Sequence, residues 1–306
     1  MSTKITYRLL NMSEQIDFSS YVALHKLIFP GSGFSPAAIE WYYTQIHRTR
    51  TYGAFNNDQL IGIWSVEPRK LLKSFNKPLL EVGRAFATGI HSMYRRSGIF
   101  VLLSQFSIEA ERAVGEYAYI LGFPQVGRAV IGGHQKAGWY PVQTIDAYSI
   151  NPLDCKIQFV PHKLVTSTIS LKYPQDYPGI FVDSLEFTYR RWLTHPDRAY
   201  SVLTTYDDSG FIVLKPYGTK CHVLDVRGDV PTLLEIAKKT CKFHNWQALT
   251  MWCAFNDPCK AAVTAAGFYP CTEFTPNIEL HAVNICEHEK LTLEQCHWQT
   301  GVEEPY

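Results

Sequence analysis

The chain lacks any apolar run near the ~20 residues that a membrane span requires. Its opening, Met1-Ser2-Thr3-Lys4, also lacks the apolar stretch of a secretory leader. Both absences lead us to expect a cytoplasmic protein without membrane insertion. An excess of either charge is missing too: 29 Lys and Arg oppose 28 Asp and Glu, a formal net charge of +1. Without a basic excess there is no general drive to displace counterions from nucleic acid or to adhere to an anionic membrane, so an anionic ligand has to be held by a local site. No Cys-x-x-Cys pair occurs, and the 8 cysteines all fall between Cys155 and Cys296. This argues against a disulfide framework and leaves the thiols as small packing residues. The set His281, Cys286, His288, Cys296 and His297 matches no common zinc spacing, and no metal is expected.

Core-forming residues, by contrast, are plentiful: 46% of the 306 residues are hydrophobic and 14% aromatic. A chain of that length suits two lobes of similar size. Asn151-Pro152 punctuates the chain after a strand and divides it into 1–150 and 151–306.

Patterning in the first half predicts a strand over 5–9 and a helix over 17–28, stopped at Phe29-Pro30-Gly31. Ser35-Pro36 gives an oxygen cap followed by proline at the first helical position, and Ile39, Tyr42, Tyr43 and Ile46 then share a face. With Trp41, these aromatics read as core and pocket wall. Strands over 51–55 and 60–66 flank the turn Asn56-Asn57-Asp58-Gln59, and a third strand spans 79–88. Gly98 opens the clearest helix, where Ile99, Leu102, Leu103, Phe106, Ala110, Ala113 and Val114 recur at helical spacing. A strand over 117–121, a short helix ending near Ala137 and a strand over 142–149 complete the half. The order predicts a mixed α/β sheet with helices on both faces. The second half echoes it: after a helix near 181–193 come a meander of strands over 200–206, 211–215 and 221–227, then helix 232–241, strand 248–252, helix 258–266 and strand 278–283. We read that echo as a degenerate structural repeat.

One junction carries a chemical signal. A strand feeding a glycine-containing loop into a helix gathers free backbone N–H groups and the positive end of a helix dipole at one point, which suits phosphate. Here the run is Thr88-Gly89-Ile90-His91-Ser92-Met93-Tyr94-Arg95-Arg96-Ser97-Gly98-Ile99-Phe100. Arg95 and Arg96 add bidentate positive donors, and Gly98 permits close backbone approach. The second half has no such loop, since Gly228-Asp229-Val230-Pro231 puts acid where the first has base, and one coenzyme site is expected.

At these residues the sequence resembles the GNAT superfamily of N-acetyltransferases, whose acetyl-CoA signature is Arg/Gln-x-x-Gly-x-Gly/Ala. Arg95 and Gly98 match it, and Phe100 stands where a small residue is usual. The resemblance covers roughly 5–149 and extends to Gly122-Phe123-Pro124 and Lys136-Ala137-Gly138-Trp139. It implies a tandem GNAT fold with a degenerate second lobe that helps to wall the acceptor pocket. It further implies acetyl-CoA held by Thr88, Gly89, Ile90, Arg95, Arg96, Ser97, Gly98, Ile99, Phe100 and Gln125, and direct attack of an amine on the thioester in a ternary complex. His134 occupies the place of the family's proton-donating Tyr, and Glu81 on the preceding strand is the implied base. His91 is expected to position the loop.

The same resemblance, to two-lobed proteins of bacterial surface-polysaccharide assembly, implies a UDP- or dTDP-linked amino sugar as acceptor. Two alternatives stand beside it: an aminoglycoside-like or peptide amine, and a protein that binds acetyl-CoA without turnover.

Overall fold

Neighbouring residues on one strand decide the layering. Ile63 packs with Tyr21, Leu24 and Ile39, whereas Trp64 packs with Ile99 and Leu103. Helices therefore cover both faces, as the two-residue period of a strand allows. In the computed structural model the described residues are 4–30, 34–43, 49–71, 79–156, 160–165, 191–197, 200–254, 257, 259–273, 276–286 and 288–292.

The first half runs β1 (Ile5–Leu9), α1 (Gln15–Ile28), α2 (Pro36–Trp41), β2 (Arg50–Asn56), β3 (Gln59–Leu71), β4 (Leu80–Ile90), α3 (Ile99–Val114), β5 (Tyr119–Gly122), α4 (Val130–Lys136) and β6 (Tyr140–Ile150). The second runs β7 (His162–Leu164), β8 (Ser201–Thr205), β9 (Phe211–Tyr217), β10 (Lys220–Arg227), α5 (Val230–Phe243), β11 (Ala248–Ala254), α6 (Lys260–Ala265), β12 (Tyr269–Pro270) and β13 (Ile278–Asn284). The strands form one sheet in the order β1-β2-β3-β4-β5-β13-β6-β11-β10-β9-β8-β7, with β12 on β6. This is the mixed α/β architecture expected from the sequence.

Two parallel pairings stand out, β4 with β5 and β10 with β11; the other pairings are antiparallel. A helix bridges each parallel pair, α3 in the first half and α5 in the second, so the repeat is visible in topology. The halves also exchange their last strands. β13 lies between β5 and β6, and β6 pairs with β11. The second half thereby completes the sheet of the first.

Local chemistry sets the element ends. The Ser35 hydroxyl accepts from the Ala38 N–H at 3.1 Å and caps α2, with Pro36 behind it. Gly115 ends α3 at φ +69° and donates to the Glu111 carbonyl. Arg50 ties β2 to α3 through a 2.6 Å ion pair with the buried Glu111.

Several elements outrun the expectation. α1 begins at Gln15 rather than residue 17, β4 reaches Ile90 because the long β3 pairs with it throughout, and α5 covers Val230–Phe243. β6 begins at Tyr140 and absorbs Pro141, opposite which the register shifts between Leu280 and His281. Proline cannot donate to the ladder, and an irregularity at a strand start accommodates it. The helix expected near 181–193 lies mostly outside the described residues, as do Ile46, Cys296 and His297.

Candidate functional site

β4 is paired unequally on its two edges. Along β3 it is matched from Leu80 to Ile90, but along β5 only Val82, Gly83 and Arg84 have partners. Beyond Arg84 β4 has no partner on β5, whose opposite edge is paired with β13 along its whole length from Tyr119 to Gly122. The parting leaves peptide groups of 85–90 beside a gap, where an extended ligand carrying amides can pair with the strand edge.

The backbone at this gap is bulged. Ile63 lies opposite Gly89 while Ser65 lies opposite Phe86, so β4 carries an extra residue relative to β3. A bulge re-aims peptide groups out of the ladder. Ala87 takes φ +44° there, a left-handed value that costs a non-glycine residue roughly 1–2 kcal/mol. Strain held beside a strand gap is a pointer to function.

After β4 the chain folds back to the mouth of α3. The His91 ring accepts from the Met93 N–H, and the Arg95 Nε donates to the Ile90 carbonyl at 3.1 Å. The Ser97 hydroxyl donates to the Tyr94 carbonyl at 2.6 Å. Arg96 at φ +65° and Gly98 at φ +80° turn the backbone into the helix. Arg95, Arg96, Ser97 and Gly98 are all exposed. The N–H groups of the first helical turn, which have no partner within the helix, therefore follow directly on an exposed loop that carries two guanidinium groups.

Phe100, the departure from the small-residue signature, has a structural partner. A Cβ added at Gly133 would stand 2.6 Å from its ring, so glycine on α4 admits the aromatic on α3. The same ring stacks on His134 at 5.9 Å between centroids. Gln125, on the loop after β5, accepts from the Arg128 Nε at 3.0 Å.

His134 is buried at the end of the gap. Its ring stacks on Trp139 at 4.5 Å, its Cε1 lies against Gly122 at the end of β5, and its Nδ1 meets the Nδ1 of His281 at 3.3 Å. Burial, reinforced by repulsion from His281, pushes its pKa down to about 3. Glu81 stands apart from this group. It is exposed, paired with Lys70 at 3.3 Å, and near the other end of β4 from Thr88, roughly 20 Å along the strand.

On the α1/α2 face a small recess reaches the bulge, lined by Tyr21, His25, Phe34, Ala38, Ile39, Tyr42, Tyr43, Phe86 and Ala87. Behind it, buried Glu67 accepts from the Tyr42 hydroxyl and pairs with Arg84 at 2.5 Å and Arg69 at 3.3 Å. Burial pushes the His25 pKa down to about 4. Of Trp41, Tyr42 and Tyr43, read from sequence as core and pocket wall, Tyr42 and Tyr43 line the recess and Trp41 does not. Sequence reasoning missed Glu67, His25 and the His281 contact, because each depends on a pairing between distant segments. Among the described residues no group of three His, Cys, Asp or Glu side chains could hold a metal, and no helix is long and apolar enough to cross a membrane.

No protein-family model matches the chain, and no curated protein is detectably similar. Solved structures do resemble it. A conserved protein of unknown function from Enterococcus faecalis, described as a probable N-acyltransferase, aligns with a TM-score of 0.68 at 12% identity, covering 92% of this chain and 73% of the other. A GCN5-related N-acetyltransferase from Anabaena variabilis aligns with a TM-score of 0.64 at 11% identity, with 92% and 73% coverage. A tandem GNAT protein of the clavulanic acid biosynthesis pathway aligns with a TM-score of 0.59 at 13% identity, covering 94% of this chain and 100% of the other. At these identities the likeness establishes the fold: a mixed α/β, GNAT-like architecture matching tandem GNAT structures.

Proposed function

We propose that this chain is an acetyl-CoA-dependent N-acetyltransferase acting on a small amine. The observation that carries the reading is the parting of β4 from β5 at a bulged, strained Ala87, beside the N-terminus of α3. The gap suits the pantetheine amides, which pair with strand edges. The helix mouth with Arg95, Arg96, Ser97, Gly98, Ile99 and Phe100 suits the pyrophosphate. Thr88, Gly89 and Ile90 border the thioester, and Gln125 lies on the loop that follows β5.

The acceptor then approaches from the recess. Its neutral amine attacks the thioester carbonyl, the C–S bond breaks, and His134 returns a proton to sulfur. Glu81, paired with Lys70 away from the gap, takes no part in this reading. Glu67, reached through Tyr42, is the carboxylate behind the recess.

The nucleotide-linked amino sugar remains the acceptor to which the sequence resemblance points. A diphosphate, however, requires cationic partners, and the recess walls are aromatic and aliphatic apart from His25. That lining favours a second reading, an amine on a compact apolar body. The test is release of free thiol from acetyl-CoA across a panel holding UDP- and dTDP-amino sugars, aminoglycosides, peptides and arylalkylamines. Turnover with any class supports the transferase, the preferred class fixes the acceptor, and no thiol release from any amine overturns the catalytic reading.

A further inference from the structure

The pair His134 and His281 joins α4 to β13. Its two Nδ1 atoms are 3.3 Å apart, within reach of one hydrogen bond in which one ring donates and the other accepts. The other nitrogen of His281, Nε2, lies 2.8 Å from the Glu279 carboxylate, which can only accept while ionised. Nε2 of His281 therefore bears a proton. In the neutral pair this makes the His281 Nδ1 an acceptor, places the bridging proton on the His134 Nδ1, and leaves a lone pair on the His134 Nε2. Among the described residues that Nε2 has no hydrogen-bond partner.

We propose that His281 and Glu279 make His134 a reversible proton carrier. This rests on the transferase reading only for the identity of what is protonated. When a proton arrives at the His134 Nε2, the Nδ1 proton passes to His281, and the positive charge settles next to Glu279 rather than inside the aromatic sandwich of Phe100 and Trp139. Discharge reverses the shift. In the transfer reaction the amine nitrogen bonds to the acyl carbon and the C–S bond breaks. The amine proton is taken at Nε2, directly or through water, and the same nitrogen delivers a proton to the thiolate. The sum is amine plus thioester to amide plus thiol, with the pair restored.

The surroundings favour this division of labour. α3 faces His134 with Phe100, β5 with Gly122 and the segment after α4 with Trp139, none of them charged. β13 supplies His281 and Glu279, and β6 meets His281 at Pro141. The carboxylate that can hold the charge thus belongs to the second half of the chain, which the strand exchange brings beside the gap. His281 and Glu279 are positioning residues acting through His134.

Nitrogen-15 NMR of histidine-labelled protein reads the tautomers without any substrate, with His134→Gln and His281→Gln assigning the signals. At neutral pH the expected pattern is Nδ1–H on His134 and Nε2–H on His281. Acidification should produce one shared protonation, with His134 moving to Nε2–H and His281 becoming imidazolium. Glu279→Gln should move that event to lower pH by roughly one unit, and Glu279→Asp should restore it. With a turned-over amine in hand, His134→Phe is expected to lower kcat about 100-fold. Glu279→Gln is expected to lower it about 10-fold and to shift the kcat pH profile to lower pH, with KM for acetyl-CoA unchanged. An Nε2–H tautomer on His134 at neutral pH, or a protonation unmoved in Glu279→Gln, overturns the proposal. Absence of turnover in the wild type would strike the transferase reading and leave the NMR result to decide this one. Because His281 is buried, the partly exposed Glu279 carries the decisive variant should His281→Gln fail to fold.

Discussion

Glu67 and Arg84 face each other across β3 and β4 and form a 2.5 Å ion pair with both side chains buried. Arg69 lies 3.3 Å from the same carboxylate, and the Tyr42 hydroxyl donates to it. A buried charge is tolerated only with its counter-charge, so removing one member is costly. Glu67→Gln is expected to lower stability by about 3 kcal/mol in urea unfolding. Glu67→Leu combined with Arg84→Met should be less damaging than Glu67→Gln alone, and the reverse order would show that the pair is not the source of the loss.

The mouth of α3 makes a separate prediction. The Arg95 guanidinium is anchored on the Ile90 carbonyl, whereas Arg96 is exposed beside it. Arg96→Ala should weaken acetyl-CoA binding about 10-fold, less so at high salt, with the unfolding midpoint nearly unchanged. Gly98→Ala meets no atom within 4 Å but holds φ +80°. Its expected effect is a stability loss of about 1 kcal/mol from backbone strain.

For the recess, the expected signature is a split between the two substrates. Phe34 lines the cavity and Arg96 does not. Steady-state kinetics of Phe34→Ala should show the acceptor KM raised about 10-fold with acetyl-CoA binding retained. Equal losses for both substrates would place the acceptor elsewhere.

Much of this arrangement was legible in the sequence because it is locally encoded. Ser35-Pro36 announces α2, Asn57 and Asp58 announce the β2–β3 turn, and the apolar stripe from Ile99 to Val114 announces α3, each through interactions within a few residues. The candidate loop before Gly98 was legible for the same reason. What stayed hidden depends on strand register and long-range pairing. Glu67 and Arg84 meet only because β3 and β4 align them, and Ala87 takes its left-handed turn from a register shift without a glycine to signal it. His281 reaches His134 only because β13 inserts between β5 and β6. Glu81 is separated from the bulge by most of the length of β4, and its pairing with Lys70 likewise depends on the β3–β4 register.

Buried neutral histidines set the acid stability. Burial lowers the pKa of His25 to about 4, and burial with repulsion from neighbouring charge lowers those of His134 and His222 to about 3. Each folded value lies below the ordinary 6.5, so the unfolded chain takes up protons first as pH falls. The contribution is therefore complete above pH 6.5 and drains away down to pH 4 for His25 and pH 3 for the other two, by at most about 1.4 kcal/mol per pH unit for each group. Urea titrations at pH 7 and pH 4.5 should show the fall, and His222→Leu should flatten it. A stability independent of pH across that window would contradict the buried, neutral assignment.

The proposed activity requires that the parted strands and the helix mouth hold the coenzyme. Isothermal calorimetry of the wild-type chain with acetyl-CoA measures this most directly. One molecule bound per chain, with affinity reduced by Arg96→Ala, is the predicted result; no heat of binding from folded wild-type protein would contradict it.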